Sequence, residues 1–447
     1  MTEQISMEIG HLRTLAAQAE LRPMPPPQQL NQTYLRSEGL ALAHPFEDGL
    51  LVVRRAGGKA FDALCERLAE SSPAMARGAV FADVRTELFS VLRELQGREP
   101  ASVNADDAKA LHARFEAWFA ERAAARRVLV PCVISPWAAQ RFVVGPVTFV
   151  FADEAAQSDI YPQPDDVIGR MEFDKLLGLM KTNKADWLAR VSVDGCDRKR
   201  SEEIGDLAVD LALTALQLVI PLAFGSRTMG RLDARRGAIE RRTLSEAHGY
   251  YNADWSRMDA GTSIGTGTLA EFLRQSASVI VAVGRLVSAF ASGQYRLPIL
   301  ERAWCDAAYW LHEALAEPID AIAIAKLETA LEVLLRSENS AGSLRRVKSL
   351  LAAFYGLGPD DPIVPEAETT AKQFAKRFVG ERSQVLHGTW STLNSRLAMS
   401  RSGLEEFVMA VIRRAAVELE AYSAEVLPDS VDSFLDWVRL KPPANAE

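Results

Sequence analysis

Apolar residues recur along the last part of the chain at steps of three and four, the spacing that lines one face of a helix. Leu344, Val347, Leu350, Leu351 and Phe354 make one such stripe; Leu404, Phe407, Val408, Val411, Ile412, Ala415, Leu419 and Tyr422 make another. A third runs through Ala371, Phe374, Phe378, Arg382 and Val385. With turn-forming breaks at "SENSAG" from Ser337 and "GLGPDDPIVPE" from Gly356, this pattern predicts helices over 299–316, 318–336, 343–356, 368–387 and 402–424. The C-terminal part therefore reads as a helical bundle.

Upstream the pattern is mixed. Helical spacing fits 58–70, 78–96, 105–126, 165–192 and 199–222. "RVLVPCVIS" and "QRFVVGPVTFVFAD" are instead rich in β-branched and aromatic residues with turn residues between them, which predicts a strand pair or small sheet from about 127 to 153. "GRLDARRGAIERRTL", from Gly230, is a further place for strand, and the proline-rich stretch 22–31 reads as a stiff connector. Gly261–Thr268 ("GTSIGTGT") lacks the lysine of a phosphate loop and a strand leading into it, so it reads as a flexible linker into a helix from Leu269. The fold class expected is α+β: a mixed, mainly helical N-terminal domain with a small sheet over 1–265, read as a sensor or regulatory region, then an all-helical bundle over 295–440.

Composition narrows the function classes. The chain has 447 residues, 48% apolar and 25% charged, an ordinary globular balance with room for two or three domains. Its net charge of -8 argues against a general nucleic-acid coat, although a local basic site is all that a nuclease needs. Cys65, Cys132, Cys196 and Cys305 are widely separated and form no C-x-x-C, so reduced thiols are expected and a zinc site is not. The polar N-terminus has no signal-peptide pattern. Leu207–Phe224 approaches membrane-spanning length, but Asp210, Gln217 and Pro221 interrupt it, and a central carboxylate in lipid is costly; a buried core helix is expected. These features point to a cytoplasmic protein without a membrane partner.

The candidate chemistry sits on the third stripe. Arg382 shares a helix face with Phe374 and Phe378, where an unpaired guanidinium is costly, so it should meet a carboxylate, a neighbouring subunit or a ligand phosphate. His387 follows at five positions, about 140° around an ideal helix and about 7.5 Å along it. Gly388 then marks a helix end, where the last turn can unwind and the long arginine side chain can close the gap. Arg241, Arg242 and His248 repeat a similar spacing, but without a sustained helical stripe.

Glu381-Arg382-Ser383-Gln384-Val385-Leu386-His387-Gly388, flanked by amphipathic helices, resembles the Arg-x4-6-His signature of HEPN domains, and most of all the ApeA-like HEPN branch found in bacterial antiviral defence proteins. The resemblance covers roughly the last third of the chain. It implies an all-helical bundle, a homodimer with the two motifs facing across the interface, and a metal-independent endoribonuclease that needs no cofactor. Such a protein would be a toxin or abortive-infection effector with RNA as substrate and a phage or cellular trigger.

Residue chemistry fits that expectation. The RNA 2′-hydroxyl is the nucleophile, so the protein need only move protons and stabilise a phosphorane. A histidine titrating near neutrality suits the first task and an arginine the second. His387 is then the proton-transfer residue, Arg382 the electrostatic clamp, and Ser383 orients histidine or phosphate. On the helix before, Glu328 and Glu332 stand beside Leu327, Leu331, Leu334 and Leu335; either could pair with Arg382, and the resemblance favours Glu332. The alternative is a non-catalytic HEPN-like dimerisation or partner-binding protein, in which Arg382 makes a structural ion pair and His387 merely ends its helix. Histidines 11, 44, 112, 248 and 312 show no ligand spacing and read as structural or surface residues.

Overall fold

The computed structural model of the chain describes residues 3–26, 28, 31–162, 166–234, 239–258, 260–337, 339–364, 368–386, 400–425 and 427–441. It is an α+β protein, mainly helical, with small antiparallel sheets. The chain forms two compact units, Met1–Arg126 with Val193–Glu203, and Arg127–Ser192 with Ile204–Glu447. This division differs from one drawn at residue 265: the strands from residue 127 onward share a unit with the C-terminal helices.

In the first unit, α1 (Glu3–Gln18) leads directly into β1 (Ala19–Arg22). After α2 (Gln32–Ser37) come β2 (Leu40–Phe46) and β3 (Gly49–Arg54), giving an antiparallel sheet ordered β1-β3-β2 with Leu21 opposite Leu51 and His44 opposite Leu51. Then follow α3 (Arg55–Ala69), α4 (Pro73–Gly78), α5 (Phe81–Glu94) and α6 (Ala105–Arg122). The central strand explains the packing. Leu51 and Val53 face a core with Leu12, Leu15, Phe61, Leu64, Leu88 and Phe115, while Leu50 and Val52 point the other way onto Tyr34 and Leu35. A strand covered on both sides reads as a continuous apolar run, and that is why helical spacing failed to reveal it.

The second unit contains a five-stranded sheet ordered β5-β6-β7-β4-β8, built from β4 (Ala124–Val133), β5 (Phe142–Val144), β6 (Val147–Phe151), β7 (Trp187–Cys196) and β8 (Gly230–Arg231). Between β6 and β7 lie α7 (Ala152–Ala155) and α8 (Val167–Thr182). The helix expected over 165–192 thus ends at Thr182, beyond which Lys184 takes a positive φ of 54° and the alternating "WLARVSV" forms β7, paired Val191 to Val147. α9 (Arg198–Val219) is the buried core helix expected from its apolar run: Ala208, Val209, Ala212, Leu213, Ala215 and Leu216 are inaccessible.

β9 (Ile239–Ala247) and β10 (Tyr250–Met258) form a separate two-stranded ribbon. The glycine-rich stretch after it is packed rather than a free linker. Thr262 N donates to Ile134 O and Ser135 Oγ to Ile264 O, and Gly261, at φ 81°, has no room for a Cβ, which would lie 2.7 Å from Ile134 O.

The remaining elements are helices α10 (Thr266–Gln275), α11 (Ala277–Ser292), α12 (Pro298–Ala316), α13 (Asp320–Leu334), α14 (Ser340–Tyr355), α15 (Ala371–Leu386), α16 (Arg401–Ser423) and α17 (Val431–Leu440). Trp304, fully buried on α12, donates from Nε1 to Ile412 O of α16 at 3.0 Å. Asp429 caps α12 by accepting from Ile299 N and Leu300 N. Among the described residues no single helix is long and apolar enough to cross a membrane; α10 and α11 reach that apolarity only as a pair bent by 79°, and α11 buries Val283, Leu286 and Val287.

Candidate active site

The site is framed by α13, α14, α15 and α16. α15 packs on both α13 and α14. Its inward face carries Ala371, Phe374, Ala375 and Phe378, all buried, as the spacing of small and aromatic residues dictates. Phe374 stacks with Phe378 at 6.1 Å between centroids, and both meet Phe407 of α16 edge-on, at 5.0 and 6.3 Å. Burying Phe378 contributes about 2 kcal/mol, so the aromatic trio fixes the rotation of α15. One further step of four places position 382 on this face of the helix backbone.

Arg382 and Ser383 lie within α15, but their side chains, and His387 altogether, fall outside the described residues. Glu332 is described. It is half-buried in the last turn of α13, and its Oε1 accepts from Ser343 Oγ at 2.8 Å. Ser343 belongs to the first turn of α14, whose N-cap Asn339 accepts from Gly342 N. A carboxylate held at a helix N-terminus is favourably placed against the helix dipole. Glu328 lies one turn earlier on α13 and is 1% exposed.

The chain re-enters the described structure at Ser400, the N-cap of α16, which accepts from Gly403 N. The first turn of α16 is pinned by a buried carboxylate. Glu405, fully inaccessible, accepts from Arg401 Nε at 2.7 Å and from Arg227 Nε at 2.9 Å. Arg401 also pairs with Asp320 and donates to Ala314 O and Leu315 O at the end of α12.

A second polar network, absent from the sequence reading, lies in the core of this unit. Asp210 of α9 is 2% exposed and accepts from Arg231 Nε at 3.0 Å. His312 of α12, set aside as structural, lies fully buried with Nε2 3.5 Å from Asp210 Oδ1 and Nδ1 2.9 Å from Gln217 Oε1. Gln217 Nε2 donates to Ser226 O and Met229 O, so its oxygen is left to accept from His312 Nδ1. Burial alone would raise the Asp210 carboxyl, but the hydrogen bonds and charges of His312 and Arg231 outweigh it and hold the group below the usual carboxylate range. A carboxylate within an apolar helix was the one signal of this network that the sequence offered.

Among the described residues no group of three or more His, Cys, Asp or Glu side chains is arranged to hold a metal ion. The decoy Arg241, Arg242 and His248 lie on the β9–β10 ribbon. Compared with known proteins, the chain matches no family model, no curated protein and no solved structure.

Proposed function

We propose that the chain is a metal-independent endoribonuclease of the HEPN type, acting in the cytoplasm as a toxin or abortive-infection effector of bacterial antiviral defence. The observation that carries this reading is the sequence spacing Arg382-x4-His387-Gly388, with position 382 in α15 and Glu332 on α13, which packs against α15. In the reaction the substrate's 2′-hydroxyl attacks the adjacent phosphorus while His387 moves the proton. Arg382 holds the phosphate oxygens as charge builds on them, Ser383 orients its neighbours, and Glu332 sets the direction of the guanidinium. The P–O5′ bond breaks and leaves a 2′,3′-cyclic phosphate and a 5′-hydroxyl. A homodimer brings two motifs together, and the residues before about 265 respond to the phage or cellular trigger.

The second reading, a non-catalytic HEPN-like dimerisation or partner-binding protein, is favoured by Glu328. Glu328 is 1% exposed on α13, a helix that packs against α15, and an arginine committed to a buried carboxylate is not available to a phosphate. Expression in bacteria separates the two. Growth arrest that disappears with His387→Ala supports the ribonuclease; equal toxicity, or none from either form under triggering conditions, supports the binding protein.

A further inference from the structure

Among the described residues nothing covers the β9–β10 ribbon. Glu240 and residues 242–257 are all solvent-exposed, among them Leu244 at 69%, Tyr250 at 77%, Tyr251 at 67% and Trp255 at 58%. Its turn is well specified: His248 and Gly249 both take positive φ, 56° and 79°, the two-residue hairpin turn that matches strand twist. Yet two strands alone are marginal in water, and among the described residues no backbone hydrogen bond links the outer edge of β9 to another element. A two-residue turn closes on a hydrogen-bonded pair, here Ala247 with Tyr250. The alternation from that pair leaves the peptide groups of Glu246, Leu244, Arg242 and Glu240 facing outward along β9.

We propose that a second copy of this chain pairs with this edge, β9 against β9, about a two-fold axis through Leu244. Residues with outward peptide groups then face one another. Leu244 meets the partner's Leu244, and Arg242 lies opposite the partner's Glu246, an ion pair that the symmetry repeats. Other registers lose this match: an axis one residue away, through Thr243, sets Glu240 against the partner's Glu246, and one two residues away, through Arg242, sets Arg242 against the partner's Arg242. The result is a four-stranded sheet, past the three strands that independent stability needs. Leu244, Ala253, Trp255 and Tyr251 share one face of it, because Leu244 pairs with Ala253, Arg242 with Trp255 and Glu246 with Tyr251 within each ribbon.

Nucleic acid is a poorer occupant. Arg241, Arg242 and Arg257 are matched in number by Glu240, Glu246 and Asp254, so the ribbon lacks the excess of cations that a phosphate backbone requires. The pairing does not depend on the ribonuclease reading.

The test uses the full chain. Leu244→Cys should give a covalent dimer under mild oxidation at low micromolar concentration, because facing Cα atoms in a hydrogen-bonded antiparallel pair lie about 5.5 Å apart, within disulfide reach. The native cysteines are all buried and give little background. Arg242→Glu and Glu246→Arg should each raise the dimer dissociation constant at least about tenfold, since two-fold symmetry doubles every change. The two reversals together should restore it. Residues 242 and 246 of one strand are about 13 Å apart, so rescue reports contact between copies. A chain that stays monomeric at every concentration overturns the proposal, as does a dimer insensitive to the reversals and not captured through Leu244→Cys. So does a monomer whose binding of single-stranded RNA falls with Trp255→Ala, which would make the ribbon an RNA surface.

Discussion

Ser343 donates its hydroxyl to Glu332 across 2.8 Å and so ties the start of α14 to the end of α13. The bond orients the carboxylate that the proposed chemistry needs beside Arg382. Ser343→Ala should cost about 1 kcal/mol of stability, since Glu332 is half-buried and water replaces the lost donor only in part. If Glu332 positions the guanidinium, RNA cleavage should fall by more than the lost stability explains. Urea unfolding beside a cleavage assay separates the two effects.

Asp210 predicts a pH dependence of folding. Its carboxyl is held low in the folded state by His312 and Arg231, against the opposing effect of burial. A depressed group stabilises in full above its unfolded value and loses that contribution as pH falls through the folded one. Asp210→Asn should therefore cost about 3–5 kcal/mol at neutral pH, where it leaves buried cations uncompensated. The gap between variant and wild type should shrink below about pH 4. Urea midpoints measured from neutral to acid pH check this, and a gap that stays constant with pH contradicts it.

All four cysteines are buried. Burial pushes the Cys65 thiol up to about 12 and raises Cys132, Cys196 and Cys305 as well. Only the thiolate reacts, so the native protein should take up no thiol reagent near pH 8, whereas the denatured protein should take up four equivalents. Labelling followed by intact mass measures both.

The C-terminal helices were legible because their stripes are long: the expected 299–316 and 402–424 fall within a residue of α12 and α16. The strands expected over 127–153 were also found, as β4, β5 and β6. Shorter elements were not legible. β3 is apolar on both faces, so its five buried residues carry no period, and β7 was absorbed into the helix before it. α17, a ten-residue helix within the 295–440 expected for the bundle, was not predicted as an element of its own.

The inward face of α15 followed from spacing, because Ala371, Phe374 and Phe378 bury the stripe. The partners of the buried charges did not. Glu405 meets Arg227 across 178 positions and His312 meets Gln217 across 95, and separations of that size leave no local pattern.

The central claim is tested most directly by incubating RNA with purified protein in excess chelator, wild type beside Arg382→Ala and His387→Ala, and identifying the ends of the products. The account predicts cleavage that survives the chelator, leaves 2′,3′-cyclic phosphate ends and vanishes in both variants. Cleavage abolished by the chelator, or retained in either variant, would contradict it.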